Sequence, residues 1–339
     1  RTYSLVSMND VQCNGTRSGT AVVTVSNGCA ASFNFQDIMG GVFMDNPAAA
    51  KQTPDCGYVV VGNTFSFGTG LYDAVLMKLD QYGDMVWFKT YGDISDNSYF
   101  EDVIPVSNGY VCAGSRGVNN AGGFYFVKTD FNGNVLWEQH IRYTSGGGAV
   151  SSQAYSIKEM SNGDIAVGGF AMHSNFNTTG QAMMRLNGVT GALIWSRVAQ
   201  VSDYEGGNGI IQTGAGNLVG AGYSRSGSVS SGLYDMSLTK RDGAGNLIWS
   251  KNYGGTGNEY LRDLVRLPDH GFISVGYTEG FSSSVVDIVL MRTDSIGNLI
   301  WSKKYARPAA DFGFRIVAGC NGKYYIAGSS RTANNGNDA

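Results

Sequence analysis

From about residue 42 onward, apolar positions fall into four short runs separated by Gly, Asn, Asp and Ser, and the set of four then repeats. The second run is the clearest: Gly57 to Gly62 (GYVVVG), Gly109 to Gly114 (GYVCAG), Gly163 to Gly168 (GDIAVG), Gly216 to Gly222 (GNLVGAG), Gly271 to Gly276 (GFISVG) and Gly322 to Gly328 (GKYYIAG). Its closing glycines lie 52, 54, 54, 54 and 52 residues apart. The third run alternates apolar and polar residues, as in Asp73 to Asp80 (DAVLMKLD), Asp235 to Asp242 and Asp287 to Asp294, and a period of two is the mark of a strand. The fourth carries a tryptophan behind a tight turn, best seen in Asp294 to Trp301 (DSIGNLIW). Every tryptophan sits in this phrase: Trp87 follows Asp80 and Gly83, Trp137 follows Asp130 and Gly133, Trp195 follows Asn187 and Gly191, and Trp249 follows Asp242 and Gly245. The first run varies most, as in Tyr99 to Val106, Gln153 to Met160 and Tyr260 to Leu267. Nothing in the repeat reads as a helix.

Four-stranded antiparallel units at this period predict an all-β propeller, whose blades pack face to face around a channel. A flat Trp on the outer strand fills the wedge that widens between blades, while Gly and Ala of the second strand allow close inner packing. The sixth unit stops eleven residues after Gly328, before its own Trp phrase. Residues 20 to 36 (TAVVTVSNGCAASFNFQ) resemble the missing piece, with Phe33 or Phe35 in the Trp position, and Gly40 and Gly41 match Gly254 and Gly255. The reading is six blades closed by an N-terminal strand latch; the alternative is a truncated seven- or eight-bladed ring. Residues 1–19 are then a linker or the edge of a preceding module, 20–339 the propeller, and 20–41 the outer strands completing the last blade. A chain opening at Arg1 suggests a processed product or an excised segment.

Composition narrows the possibilities. Abundant Gly (49) and scarce Pro (5) suit many short strands joined by tight turns. A net charge of -3 with 15% charged residues gives no basic field for nucleic acid, and no apolar run approaches a membrane span. Five cysteines without a C-x-x-C, and three histidines, argue against a metal site; no cofactor is expected, and a structural Ca2+ is left open. Cys56 and Cys320 precede the second strand in blades that adjoin only in a closed ring, so they suggest a covalent latch, with Cys13 and Cys29 as a second pair. The alternative is unpaired turn cysteines. Cys112, at an inward strand position, is expected as a buried free thiol.

The run Trp249 to Glu259 (WSKNYGGTGNE), with Gly271 to Thr278 (GFISVGYT) and Asp287 to Asp294, resembles the bacterial β-propeller repeats of the SBBP type. The resemblance covers residues 42–339 and implies a secreted or surface-exposed propeller, mostly without an assigned activity. Asp10 to Val25 (DVQCNGTRSGTAVVTV) resembles the SprB-type repeats of bacterial gliding adhesins, again an extracellular setting. The Trp turn differs in spacing from the Asp box of sialidase-like propellers. Blade three, Leu186 to Trp195, looks like the tryptophan-docking phrase of quinoprotein dehydrogenases, but Asn187 replaces Asp and the adjacent cysteine pair is missing.

Candidate chemistry lies where the repeat breaks. Glu101, Asp102, Arg262, Asp263, Asp311 and Arg315 fall at the channel mouth as a polar funnel, with channel hydration and salt bridging as the plain alternative. Loops after the second strand carry Phe65, Phe67, Tyr72, Phe176, Tyr234 and Phe281, suited to stacking on sugars or to protein contact. The recurring cations of the third strand (Lys78, Lys128, Arg185, Lys240, Arg292) and those two places after Trp (Lys89, Arg197, Lys251, Lys303) read as solvated outer faces. Asp73, Asp235, Asp287 and Asp338 read as turn or inter-blade acceptors. No catalytic His or Ser triad is discernible. The expectation is a non-enzymatic extracellular module for adhesion, ligand binding or filament and surface assembly, part of a larger chain, with surface or fibre proteins or glycans as partners. The alternative is a glycan-active hydrolase or lyase using acids at the mouth.

Overall fold

The computed structural model describes residues 40–69, 71–117, 122–145, 148–172, 178–199, 205–225, 234–255, 257–279, 286–305, 310–319, 322–331 and 337–338. Within them the chain forms an all-β propeller. Five antiparallel sheets have four strands in sequential order, and a sixth has three. The first strands of the six blades are Asp45–Gln52, Asn97–Val106, Ser152–Glu159, Glu205–Gln212, Glu259–Arg266 and Asp311–Ala318, and each of the first five packs on the first strand of the blade that follows it. The strands of blade six include Tyr324–Arg331 and Asn337–Asp338. Ser330 pairs with Asp338 there as Thr64 pairs with Asp73 and Thr278 with Asp287, so Asp338 begins a third strand as expected.

The first strands face one axis. Arg315 Nη2 of blade six donates to the Tyr155 carbonyl of blade three at 3.5 Å, and Lys51 of blade one feels Asp102, Lys158, Arg315 and Asp263 from four other blades. The proposed latch of residues 20–36, with Phe33 and Phe35, lies outside the described residues. So do Cys13, Cys29 and Cys320; Cys56 is not free, and Cys112 is free and fully buried, which pushes its thiol well up.

The apolar cores lie between blades rather than within them. Val59, Val61, Ala74 and Leu76 of blade one share a cluster with Phe100, Val103, Tyr110 and Val127 of blade two, and Val219, Ala221 and Leu238 of blade four share one with Leu261, Leu264, Val289 and Met291 of blade five. At the periphery the tryptophans complete this packing. The turns ahead of the last four tryptophans each bend through a glycine with positive φ: Gly133 (75°), Gly191 (74°), Gly245 (85°) and Gly297 (80°). The Trp of the preceding blade lies against that glycine, so a Cβ added there would come within 3.0 Å of the Trp87 ring, 2.7 Å of Trp137, 2.8 Å of Trp195 and 3.1 Å of Trp249. Only glycine meets both the dihedral and the space.

Hydrogen bonds fix the same contact. The Gly188 carbonyl accepts from Trp137 Nε1 (3.4 Å) and Lys128 Nζ (2.8 Å), and the Gly243 carbonyl accepts from Trp195 Nε1 (3.0 Å) and Arg185 Nη1 (2.9 Å). Two of the third-strand cations are therefore not on solvated faces, while Arg185, Lys240 and Arg292 are partly exposed. Lys78 and Lys128 are buried, Lys78 bonding Thr53, Asp55 and the Leu79 carbonyl, because the face they occupy is covered by turns. The cations after Trp also reach forward, Lys89 to Asn134 at 2.8 Å and Lys251 to Asn298 at 2.7 Å, but from partly exposed positions.

Trp195→Ala should lower stability by about 3–5 kcal/mol, as for other buried aromatic truncations, and Gly245→Ala by at least the roughly 1–2 kcal/mol of a left-handed L-residue. The two costs should be less than additive in urea unfolding, since both empty one contact. A Gly245→Ala variant as stable as the parent would rule out the seating of Trp195 on that turn.

Candidate functional site

The first strands share an irregularity that builds the mouth of the channel. Pairing with the second strand slips once in every blade, between Pro47 and Ala49, Phe100 and Asp102, Ala154 and Ser156, Gly207 and Gly209, Leu261 and Asp263, and Gly313 and Arg315. A β-bulge leaves one residue unpaired and re-aims it. The bulged residues are Ala48, Glu101, Tyr155, Asn208, Arg262 and Phe314, six different side chains at one register.

Several of them meet across blades. Gln153 Nε2 donates to Glu101 Oε1 at 2.6 Å. Burial raises the Glu101 carboxyl, with the charge of Arg315 and the Gln153 hydrogen bond opposing. Arg262 donates from Nη1 to Asn208 Oδ1 (3.0 Å) and from Nη2 to Tyr277 Oη (3.1 Å), and its guanidinium lies 5.3 Å from the centre of the Tyr277 ring. Asn208 is held in turn by donating to the Leu261 carbonyl at 2.8 Å. The Tyr155 hydroxyl is pushed up to about 12 by burial, with Glu101 and Tyr223 adding to the rise and Arg262 opposing it. Arg315 crosses beneath to the Tyr155 carbonyl.

Asp102 and Asp263 do a different job. Asp102 accepts from the Val103 N–H (3.0 Å) and, in the next blade, from the Ile157 N–H (3.0 Å). Asp263 accepts from Leu264 (2.9 Å) and, across the blade boundary, from Ile316 (3.1 Å). Both are staples joining first strands. Burial raises the Asp263 carboxyl, while its backbone donors, Arg315 and Lys158 pull it back. Asp311 is also away from the mouth floor: it is buried at the start of its strand, donating its backbone N–H to Val286, in the register of Glu259.

Aromatic rings surround the bulge ring at the end of the channel where the first strands begin. Tyr72 packs on Tyr99 (5.6 Å, 33°) and Tyr234 on Tyr260 (5.5 Å, 34°), and the backbone N–H of each loop tyrosine donates to an asparagine, Asn97 or Asn258, at 3.2 Å. Blades one and two thus repeat in blades four and five, with Glu101 in one copy where Arg262 stands in the other. Beyond Tyr260 the rings continue through Tyr277 (4.9 Å) to Phe312 (5.0 Å), and Tyr223 packs on both Tyr234 and Tyr260. Tyr155 stacks on Phe170 at 5.7 Å. Of the other loop aromatics, Phe65 joins Tyr72 at 5.2 Å, whereas Phe67 turns to Phe88 on the outer strand at 5.3 Å. Phe176 and Phe281 lie outside the described residues.

Charge picked out Glu101, Arg262 and Arg315 in the sequence and passed over Tyr155, Asn208, Gln153 and the ring residues Tyr99, Tyr223, Tyr260, Tyr277 and Phe312. Lining up the six first strands on their closing apolar residues would have found them. A separate cleft of about 390 Å³ lies between the outer strands of blades two and three, lined by Arg142, Tyr143, Thr144 and Arg197 among others. Among the described residues no three His, Cys, Asp or Glu side chains group as a metal site.

No family model and no curated protein matches the chain. Solved structures similar to it include the Dos1 propeller (11% identity over 79% of this chain and 64% of that one, TM-score 0.46). BamB from Moraxella catarrhalis is 12% identical over 83% of this chain and 98% of its own, with a TM-score of 0.36. A protein of unknown function from Bacteroides caccae is 10% identical over 70% of this chain and 92% of its own, with a TM-score of 0.37.

The raised carboxyls set a pH signature. A carboxyl whose pKa is higher folded than unfolded adds stability below its unfolded value and loses it as pH rises through its folded value. Glu101 and Asp263 should therefore strengthen the fold as pH falls from 7 towards about 4. The turn carboxylates act in the opposite sense: backbone and side-chain donation from Asn134 holds Asp130 below its ordinary range, as side-chain donation from Asn246 does for Asp242, and their contribution fades only in stronger acid. Urea midpoints across this range should flatten in Glu101→Gln and Asp263→Asn; an unchanged slope in both would remove these two groups from the profile.

Proposed function

We propose that the chain is a non-enzymatic extracellular binding module of a larger surface assembly, and that its channel mouth holds a glycan. The observation that carries this reading is the collar of tyrosines around polar side chains that already bond one another across blades. Ring faces stack on the apolar faces of sugars, and Glu101, Gln153, Asn208 and Arg262 offer orienting hydrogen bonds at the centre. Arg315 beneath them gives the mouth a floor. The resemblance to SBBP-type and SprB-type repeats supports the extracellular setting.

The carboxylates favour binding over hydrolysis. Glycoside hydrolysis ordinarily takes two carboxyls facing one bond, about 5 to 9.5 Å apart. Asp102 and Asp263 are each committed to two backbone N–H groups, which leaves Glu101 alone among the bulged residues as an acid.

A plant and bacterial glycan array, followed by titration of any hit, tests the site. Tyr260→Ala and Tyr155→Ala should each weaken binding about tenfold or more, the 1.4 kcal/mol scale of one lost stacking contact, with unfolding midpoints still cooperative. Cleavage of the bound glycan, or affinity indifferent to both substitutions, would defeat the proposal.

A second reading, assembly through the blade rims, has its own support. Each fourth strand opens with an exposed apolar pair ahead of its Trp: Met85 and Val86, Val135 and Leu136, Leu193 and Ile194, Leu247 and Ile248, Leu299 and Ile300. Repeated apolar exposure of this kind marks contact surfaces. If rims associate, sedimentation should show concentration-dependent oligomers that Ile248→Lys with Ile300→Lys reduces to monomer; a monomeric parent at high concentration would exclude it.

A further inference from the structure

We infer that the mouth selects glycans bearing a carboxylate, such as uronic or sialic acids, and that Arg262 receives the carboxylate. The inference rests on the reading of the mouth as a glycan site and adds the chemical class of its ligand.

Arg262 is a half-buried cation, and the partners that hold it are neutral. Its hydrogen bonds go to the Asn208 amide and the Tyr277 hydroxyl, its charge lies over the Tyr277 ring, and Nε is buried with no hydrogen-bond partner. Among the described residues no carboxylate pairs with it within 4.0 Å. Withdrawing a guanidinium from water without a counter-charge is costly, and a ring face offsets only part of that cost. Two other guanidiniums of the fold are paired with acids: Arg116 meets Asp96 at 3.2 Å and Glu138 at 2.9 Å, and Arg185 meets Asp164.

The placement suits recognition rather than packing. Asn208 and Tyr277 hold the two terminal nitrogens, which orients the planar fork while leaving further N–H groups to donate. A fork of this kind matches a carboxylate better than a hydroxyl, and a single guanidinium balances a single negative charge. Tyr223, Tyr260 and Tyr277 stand beside it as ring faces for the sugar that carries the acid. Glu101, the acid at the same register three blades away, is bonded by Gln153 and lies under the influence of Arg315, so it does not compete for Arg262.

The test titrates the full chain with two matched pairs of probes: trigalacturonate against its methyl ester, and sialyllactose against lactose. The acid of at least one pair should bind about tenfold or more tighter than its neutral partner. Arg262→Gln should erase that preference, the acid binding no tighter than its neutral partner, Arg262→Lys should keep part of it, and Lys251→Gln, on the outer strand of blade four, should keep all of it. Where Arg262→Gln fails to fold, the partial preference of Arg262→Lys is decisive. Equal binding of acid and neutral probes, or a preference that survives loss of Arg262, overturns the inference and leaves the glycan reading standing. Binding of none of the four probes overturns it too, and if the array is also blank the glycan reading falls with it.

Discussion

The contact on which the propeller depends is the seating of a tryptophan from one blade on the glycine turn of the next. A four-stranded meander has two apolar faces and cannot bury either alone, so the blades are stable only as neighbours. Near the axis the first strands approach closely and small residues suffice. Toward the rim the gap widens, and an indole lying flat on a glycine closes it. In blades two and three the carbonyl of the next turn also satisfies the indole N–H and the third-strand cation together, which is why Lys128 and Arg185 are tolerated where a face is covered.

With packing secured at the rim and between the blade faces, the inner strands are released from uniformity. The repeated bulge keeps the backbone path constant while turning one residue per blade out of the ladder. Alanine, glutamate, tyrosine, asparagine, arginine and phenylalanine occupy that place with no change of fold. Only Asp102 and Asp263, one residue on, return to structural service as staples between strands. The mouth is thus a variable surface on an invariant frame, and its two halves share a tyrosine and asparagine scaffold while differing in charge.

Blade period, strand order and the role of the Trp phrase were legible in the sequence because they rest on local alternation and on repetition. Lys78 and Lys128 of the third strand were misread for a physical reason: period two tells which face a residue takes, but not whether a turn covers that face. The mouth was half legible. Glu101 and Arg262 stood out by charge, but adjacent acids could not be assigned to different jobs without the bulge, and Tyr155 and Asn208 carry no charge to draw attention. Tyr99 and Tyr260 look like any strand aromatics until the loop tyrosines are seen stacked on them.

The seating of Trp87, Trp137, Trp195 and Trp249 runs forward along the chain in every case, and this has a consequence for how the protein is made. The carbonyl that holds Trp137 comes 51 residues later, and the one that holds Trp195 comes 48 residues later. At ribosomal rates of about 5–20 residues per second, an emerging blade waits roughly 2 to 10 seconds for its fastening. Folding therefore trails synthesis by one blade, and the newest unit always presents an unfilled indole to the surroundings. The four tryptophans seated in this way, Trp87, Trp137, Trp195 and Trp249, thus fasten one after another in the order of synthesis.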